Sequence, residues 1–194
     1  DSPDIIHIAT HGFFFFYALY NDSLAMERGK TKFEARVNRI LGIGEAVQND
    51  SIVNHDPLIR SGLILAGGNY AWVNGKAHPG KTEDGILTAL EISNMDLSNT
   101  DLVVLSACDT GLGDINGSEG VYGLQRAFKM AGVDMILMTL WPIPDKETPE
   151  FMQKFYTDWL GEGNIREAFK NAQIFMQKEY PDNPEYWAGF VLLQ

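Results

Sequence analysis

Two short motifs in the sequence carry residue types that can do covalent chemistry. HIATHG at residues 7–12 ends in His11 and Gly12, and LSACDTG at residues 105–111 contains Cys108, the one cysteine of the chain. A thiol is only a few per cent ionised at neutral pH, and a nearby imidazole that takes its proton converts it into a nucleophile. The pair therefore indicates attack on a carbonyl carbon, with His11 as the base and Cys108 as the nucleophile.

The oxyanion that forms in such an attack needs hydrogen-bond donors that are fixed in advance. Because glycine has no Cβ, the backbone N–H of Gly12 can come close to a substrate, and the N–H of Cys108 is the candidate second donor. The same residues also have a purely structural interpretation. In that case Cys108 is a small buried residue at the end of a strand, and His11 is a turn residue whose hydrogen bonds are satisfied.

The elements around these motifs must bring residues together that lie far apart in the chain. Short apolar runs alternate with segments of helical spacing, which favours an α/β fold with a mostly parallel sheet. The carboxyl ends of parallel strands share one edge, so His11 and Cys108 meet there if the strands before them are neighbours. The predicted strands are 4–10, 62–66, 101–107, 134–141 and 188–193, and the predicted helices are 86–94, 119–131, 149–160 and 165–178.

Capping residues set the predicted ends of three helices. Gly132 is the expected left-handed cap after helix 119–131. Thr148 is the expected N-cap of helix 149–160, with Pro149 in its first position and Gly161 as its end. Asn164 is the expected N-cap of helix 165–178.

Composition and charge restrict the classes of partner and compartment. The 15 basic against 26 acidic side chains give a formal net charge of −11, which argues against a nucleic-acid surface. A single cysteine excludes a disulfide framework and any zinc site built from several thiolates, so we expect a cytoplasmic protein. The longest aromatic run, residues 13–20, is far shorter than the roughly 20 residues that span a bilayer, so no membrane contact is expected.

We expect one domain over residues 1–194, cut from the C-terminal portion of a longer protein. The chain begins with Asp1 and passes almost at once into a strand-like run. Residues 21–56 differ from the rest because they have helical spacing and carry a group of basic side chains on an otherwise acidic protein, namely Arg28, Lys30, Lys32, Arg36 and Arg39. We interpret this segment as a helical insertion, either a solvated surface excursion or a flap that docks a partner.

Several runs of the sequence resemble, in family order and over nearly the whole chain, a CHAT domain. This family of caspase-like cysteine peptidases is related to caspases and separases and often follows tetratricopeptide repeats. The resemblance implies a caspase-like three-layer sandwich, mostly parallel with helices on both faces, whose N-terminal part is missing from this chain. The runs are HIATHGF (7–13), PLIRSGLILA (57–66), LTALEISNMDLSNTDLVVLSACDTGLG (87–113), EGVYGLQRAF (119–128), AG (131–132), TLWPIPDKET (139–148) and YWAGFVLL (186–193).

The resemblance also implies an activity. His11 and Cys108 would be the catalytic dyad of an endopeptidase that works through a thioester acyl-enzyme, with the N–H groups of Gly12 and Cys108 as the oxyanion donors. It implies a protein substrate, control by an upstream domain of helical repeats, and no cofactor. The alternative is a catalytically inert caspase-like interaction module that has kept the fold and both residues.

The substrate pocket is open to two interpretations. In related peptidases an acidic residue near the corresponding strand pairs with a basic side chain of the substrate, and Asp145 has that position here. Asp145 also has a purely structural interpretation, as a capping or turn residue that leads into the next helix. Trp141, together with Met138, could instead wall an apolar pocket.

Two further motifs compete with this interpretation. Residues Gly75–Thr82 match the spacing GxxxxGK[ST] of a phosphate-binding loop and suggest, as a minor alternative, a nucleotide binder. Such a loop must lead straight into a helix, and Asp84-Gly85 interrupts it. His7 and His11 could share a metal, but no third ligand has a diagnostic spacing, and we expect His7 to be a buried strand residue and the chain to bind no metal.

Overall fold

The computed structural model describes residues 2–14, 58, 61–74, 76–106 and 118–194. The predicted insertion at 21–56 and Cys108 lie outside these residues. The described part of the chain contains seven strands, five α-helices and a short 3-10 helix at Pro184–Tyr186. The strands are β1 (Ile5–Ile8), β2 (His11–Phe14), β3 (Ser61–Ile64), β4 (Ile86–Thr88), β5 (Leu102–Leu105), β6 (Met135–Thr139) and β7 (Phe190–Leu193), and the helices are α1 (Gly68–Asn74), α2 (Ala89–Ser93), α3 (Ser118–Met130), α4 (Glu147–Glu162) and α5 (Ile165–Glu179).

The main sheet has the strand order β1-β5-β6-β7. β1, β5 and β6 run parallel, and β7 pairs with β6 in the antiparallel direction. All four residues of β5 are buried, because its apolar run LVVL is covered on both faces, as is usual for a central parallel strand. The prediction of an α/β fold with a mostly parallel main sheet is confirmed at this level.

Helices cover both faces of the main sheet, because successive strand residues point to opposite sides. Val103 and Leu105 belong to a buried cluster with residues of α2 and α3. Leu102 and Val104 belong to a second cluster with residues of α4 and α5. The second cluster includes Phe151, whose ring stacks on that of Phe190 with centroids 3.7 Å apart.

A second, smaller sheet is antiparallel and has the order β2-β3-β4. Its central strand contributes Leu63, which is fully buried, to the cluster that holds α2 and α3. Its packing is tight at Gly62, where an added Cβ would lie 2.6 Å from both the Leu87 carbonyl oxygen and the Phe13 ring. A glycine is therefore needed in the middle of β3.

This second sheet corrects three predictions. The predicted strand 4–10 is β1 alone, and the chain then starts a new strand at His11. The predicted strand 62–66 is β3, outside the main sheet. The predicted helix 86–94 begins with strand β4, and α2 starts only at Ala89, where Thr88 and Glu91 form a capping box.

The helix ends are confirmed at two positions and wrong at two. Gly132 adopts a φ of 101°, and the Asn164 side chain accepts hydrogen bonds from the first turn of α5, both as predicted. By contrast, α4 starts at Glu147 rather than after Thr148. It ends at Gly163, not Gly161, because Gly163 takes the left-handed conformation that lets its N–H bond to the Trp159 carbonyl.

Candidate active site

Three parallel strands end together at the carboxyl edge of the main sheet. Ile8 of β1 lies beside Leu105 of β5, and Leu105 lies beside Met138 of β6. His11 follows Ile8 by three residues, and Trp141 follows Met138 by three residues. This edge therefore holds the segments that the sequence analysis singled out.

Cys108 itself lies outside the described residues, but the strand before it does not. In the sequence, Cys108 follows Leu105 by three residues, the same spacing that separates His11 from Ile8. The N–H of Ser106, two residues before Cys108, donates to the Ile8 carbonyl at 3.0 Å.

His11 is the first residue of β2 and has an exposed side chain. It lies opposite Ile64 in the antiparallel register. Thr10, directly before it, donates its Oγ1 hydrogen to the carbonyl oxygen of Ile64. β3 thus holds the backbone at His11, while the side chain stays at the surface.

Gly12 is buried, and the register determines the direction of its backbone N–H. The N–H of Leu65 donates to the Gly85 carbonyl at 2.7 Å, on the β4 side of β3. Backbone groups alternate in direction along an antiparallel strand, so Ile64 faces β2 and forms the hydrogen-bonded pair with His11. The next residue, Gly12, therefore directs its N–H away from β3, towards the outer edge of β2.

His7 forms a cluster with two residues that the sequence analysis did not single out for the site. Its Nε2 lies 3.3 Å from Ser106 Oγ, and its Nδ1 lies 3.0 Å from the hydroxyl of Tyr156 on α4. The prediction that His7 is buried is wrong, because its side chain is exposed at the β1 edge of the described sheet. The three residues link β1, β5 and α4 through side-chain contacts.

The pKa values of two groups of this cluster are shifted. Although His7 as a residue is exposed, the surrounding protein displaces part of the water around its ring and around the Tyr156 hydroxyl. Desolvation lowers the pKa of His7 below its ordinary value, because the charged imidazolium loses water. Desolvation raises the pKa of the Tyr156 phenol above its ordinary value for the same reason. Both side chains are therefore neutral near pH 7.

The two pocket interpretations fare differently. Met138 is buried in the core cluster that holds α2 and α3. Trp141 is partly exposed, and its Nε1 donates to the Glu185 carbonyl at 2.8 Å while its ring packs against Gly189. Asp145 is exposed in the turn before α4, where either of its interpretations stays open.

The loop that resembles a phosphate-binding motif lacks the necessary context. Within residues 76–82, Lys81 donates its N–H to the His78 carbonyl in a turn, and Gly80 has a φ of 81°. The chain then continues through Gly85 into strand β4, not into a helix. No helix amino terminus therefore follows this loop to receive a phosphate.

The described residues contain neither a group of side chains that could hold a metal ion nor a helix that could span a membrane. No group of three or more His, Cys, Asp and Glu side chains in the described ranges is placed to hold a metal ion. No helix in the same ranges combines the length and the apolar character that crossing a bilayer requires.

Ser106 and Tyr156 left only a weak signal in the sequence. Ser106 is the first polar residue after the apolar run of β5, and His7 interrupts the apolar run of β1. Tyr156 lies in the predicted helix 149–160, next to Phe155 and three residues before Trp159, and core packing is the ordinary interpretation of aromatic residues at such spacing. Only the pairing of β1 with β5 brings His7 and Ser106 together.

Comparison with known proteins gave one family and two relatives. The family described as CHAT domain matches the chain over residues 1–194. Tetratricopeptide repeat protein 28 from Mus musculus is 34% identical over 112 residues, and its counterpart from Homo sapiens is 32% identical over 112 residues. Each alignment covers 56% of this chain but only 4% of the relative.

Proposed function

The chain belongs to the CHAT domain family, and we propose that it is a cysteine endopeptidase in which His11 activates Cys108. The family is related to caspase-like peptidases, which makes attack on a peptide carbonyl the reaction to test first. The proposal extends to a caspase-like sandwich, for which the helices on both faces of the main sheet are the supporting feature.

One observation carries this proposal. The register of the main sheet aligns Ile8 with Leu105, and the two candidate residues follow at the same spacing of three. β5 is the neighbour of both β1 and β6, so the strand that precedes Cys108 lies between the strands that precede His11 and Trp141. A nucleophile between a base and a substrate-binding surface is the arrangement that a thiol peptidase needs.

The chemistry follows from the two side chains. His11 takes the proton of Cys108, and the thiolate forms a C–S bond with the scissile carbonyl carbon. The oxyanion then collapses, the C–N bond breaks, and the leaving amine takes the proton from His11. Water, deprotonated by His11, attacks the thioester, and cleavage of the C–S bond returns the thiolate.

Gly12 suits the role of oxyanion donor in this scheme. Its N–H points away from β3, so the β2–β3 ladder does not use it. Because Gly12 directly follows His11, that N–H and the imidazole come from neighbouring residues. The N–H of Cys108 is the second donor in the proposal. Removal of one oxyanion donor typically lowers kcat by about 100-fold or more.

Regulation and location are part of the same proposal. The two relatives carry the name tetratricopeptide repeat protein, and this chain matches only a small part of their length. We therefore propose that an upstream domain of helical repeats controls the peptidase and that the substrate is a protein. A thiol nucleophile needs reducing conditions, so we assign the cytoplasm.

Alkylation of Cys108 tests the dyad without a known substrate. Cys108 is the one cysteine of the chain, so incorporation of iodoacetamide reports on it alone. We expect His11→Gln to lower the alkylation rate at pH 6.5 by about tenfold, with little change at pH 9, where ordinary thiols are ionised. His78→Gln, in the exposed loop before β4, is the matched control and should behave as the wild type.

A peptide electrophile then separates an active site from an inert interaction module. A degenerate library of peptides with an electrophilic carbonyl should label the wild type and not Cys108→Ala. If the wild type prefers peptides with basic side chains and Asp145→Ala does not, then Asp145 forms the pocket that binds those side chains. Equal alkylation of wild type and His11→Gln at pH 6.5, together with no labelling by any peptide, would contradict the peptidase and favour the interaction module.

A further inference from the structure

We propose that His7, Ser106 and Tyr156 form a positioning cluster that fixes the carboxyl ends of β1 and β5 against each other and against α4. This inference rests on the proposed function, because these two strand ends precede His11 and Cys108. None of the three residues is assigned a role by the dyad. The proposal gives them the task of holding the base and the nucleophile in register.

The contacts support this role because they join three elements at one residue. The imidazole of His7 reaches Ser106 on the β5 side at 3.3 Å and Tyr156 on α4 at 3.0 Å. Its ring centroid lies 5.8 Å from that of Tyr156. His7 precedes His11 by four residues, and Ser106 precedes Cys108 by two residues. The cluster therefore sits directly before both reactive segments.

The donors and acceptors form one consistent chain. Ser106 Oγ is also 3.5 Å from the Ile8 carbonyl oxygen, to which only a hydroxyl hydrogen can be donated. Ser106 then accepts from Nε2–H of His7, which leaves Nδ1 unprotonated to accept from the hydroxyl of Tyr156. With Ser106 donating to Ile8, the neutral imidazole carries its proton on Nε2 and accepts at Nδ1, so both ring nitrogens have a partner.

The position of the cluster indicates that its three residues hold β1 and β5 in place and do not react with a substrate. The N–H of Ser106 continues the ladder to Ile8, so Ser106 is still part of the sheet. His7 and Tyr156 meet on the α4 side of the sheet, the face opposite to that of Ile6 and Ile8. The cluster acts through the backbone of the two strands. A misplacement of reacting groups by about 1 Å can lower a rate about 100-fold.

Four variants of the whole chain test the proposal through Cys108 alkylation by iodoacetamide, measured as the ratio of the rates at pH 6.5 and pH 9. Ser106→Ala and His7→Phe should each lower that ratio about three- to tenfold, and Tyr156→Phe about twofold. His7→Gln should restore most of the ratio, because its amide N–H replaces Nε2–H towards Ser106. Ser98→Ala and Tyr180→Phe remove hydroxyls that bond to Asp96 and Glu150, and they should leave it unchanged.

Thermal unfolding of the same variants separates positioning from stability. A purely structural role would lower Tm in Ser106→Ala and leave the alkylation ratio at the wild-type value, which would overturn the proposal. Ser106→Ala and Tyr156→Phe remove only a hydroxyl, so they decide the matter if His7→Phe does not fold. A wild-type ratio in Ser106→Ala alongside a lowered ratio in His11→Gln overturns this inference alone. A wild-type ratio in both overturns the dyad as well.

Discussion

The two sheets of this protein have two tasks: the main sheet forms the buried core, and the smaller sheet carries the exposed candidate base His11. In the main sheet, Leu102, Val103 and Val104 are fully buried between two layers of helices. The smaller sheet has strands of three or four residues, and its edge strand β2 starts with the exposed candidate base His11. The main sheet thus fixes how β1, β5 and β6 are aligned, and the smaller sheet places the side chain of His11 at the surface.

This division has a physical reason. A strand inside a parallel sheet has used its N–H and C=O groups in two ladders, so it has none to offer a substrate. An edge strand keeps every second backbone group directed outwards. Gly12 is such a residue within the described sheet, because its N–H is directed away from β3. The proposed peptidase would therefore need the edge strand β2 as much as the buried core.

The largest effect we expect is a loss of stability on opening a cavity in the main core. Phe151 is fully buried and stacked on Phe190, so Phe151→Ala should cost about 4 kcal/mol of unfolding free energy. Phe13 in the smaller sheet packs edge-on against Trp72 in a small cluster, so Phe13→Ala should cost about 2 kcal/mol because that site relaxes more easily. Urea unfolding measures both values.

The comparison between the sheets holds only if Phe151→Ala lowers the free energy of unfolding more than Phe13→Ala does. If Phe13→Ala costs as much as Phe151→Ala, the smaller sheet is part of the same rigid core and the division of tasks is wrong. An m value equal to that of the wild type is required in both variants, because a changed m value would mean that the denatured state or the two-state behaviour has changed.

The next effect concerns the smaller sheet alone. Gly62→Ala places a Cβ 2.6 Å from the backbone oxygen of Leu87, so β3 and β4 must move apart. We expect a loss of about 1–3 kcal/mol and a lower rate of Cys108 alkylation at pH 6.5, because β2 pairs with β3 and carries His11. Urea unfolding and iodoacetamide incorporation measure the two effects.

Gly161→Ala is the matched control for this variant. Gly161 lies in α4 with no atom within 4 Å of an added Cβ, so the alanine should stabilise the helix by about 0.5–1 kcal/mol. An unchanged stability of Gly62→Ala would mean that the smaller sheet tolerates a wider strand spacing, and its role in holding His11 would lose its support.

The sequence predicted the main sheet better than the smaller one. β5 and β6 are continuous apolar runs, and Gly132 and Asn164 mark helix ends by local chemistry, so all four follow from the order of residues. The smaller sheet depends on pairing between His11–Phe14, Ser61–Ile64 and Ile86–Thr88. These three strands come from distant parts of the chain and carry no continuous apolar run like that of β5, so only tertiary contacts decide their partners.

The candidate site shows the same limit. His11, Gly12 and Cys108 were predicted from residue type, because an imidazole, a glycine and a thiol have recognisable chemistry. Tyr156 could not be found in this way, because its hydroxyl meets His7 only through the packing of α4 on the sheet. The error over His7 has the same origin, since β1 looks like a buried strand until its place at the edge of the described sheet is known.

The smallest effect we expect is a pH dependence of stability from the cluster at the edge of the main sheet. Desolvation lowers the pKa of His7 in the folded protein below the model-peptide value of 6.5, so the unfolded chain binds more protons as the pH falls below 6.5. The stabilising contribution is therefore present above pH 6.5 and is lost as the pH falls through the folded-state pKa. The raised pKa of Tyr156 keeps its phenol neutral throughout this range.

The difference between wild type and His7→Gln isolates this contribution, because all other titrating groups are shared. Urea unfolding at pH 7.5 and at pH 5 should show the wild type losing more stability than His7→Gln. Equal losses would mean that water reaches the folded imidazole as freely as the unfolded one. In that case the hydrogen bonds to Ser106 and Tyr156 would not be shielded from solvent. The edge strand β1 of the main sheet would then be as open to solvent as the edge strand β2 of the smaller sheet.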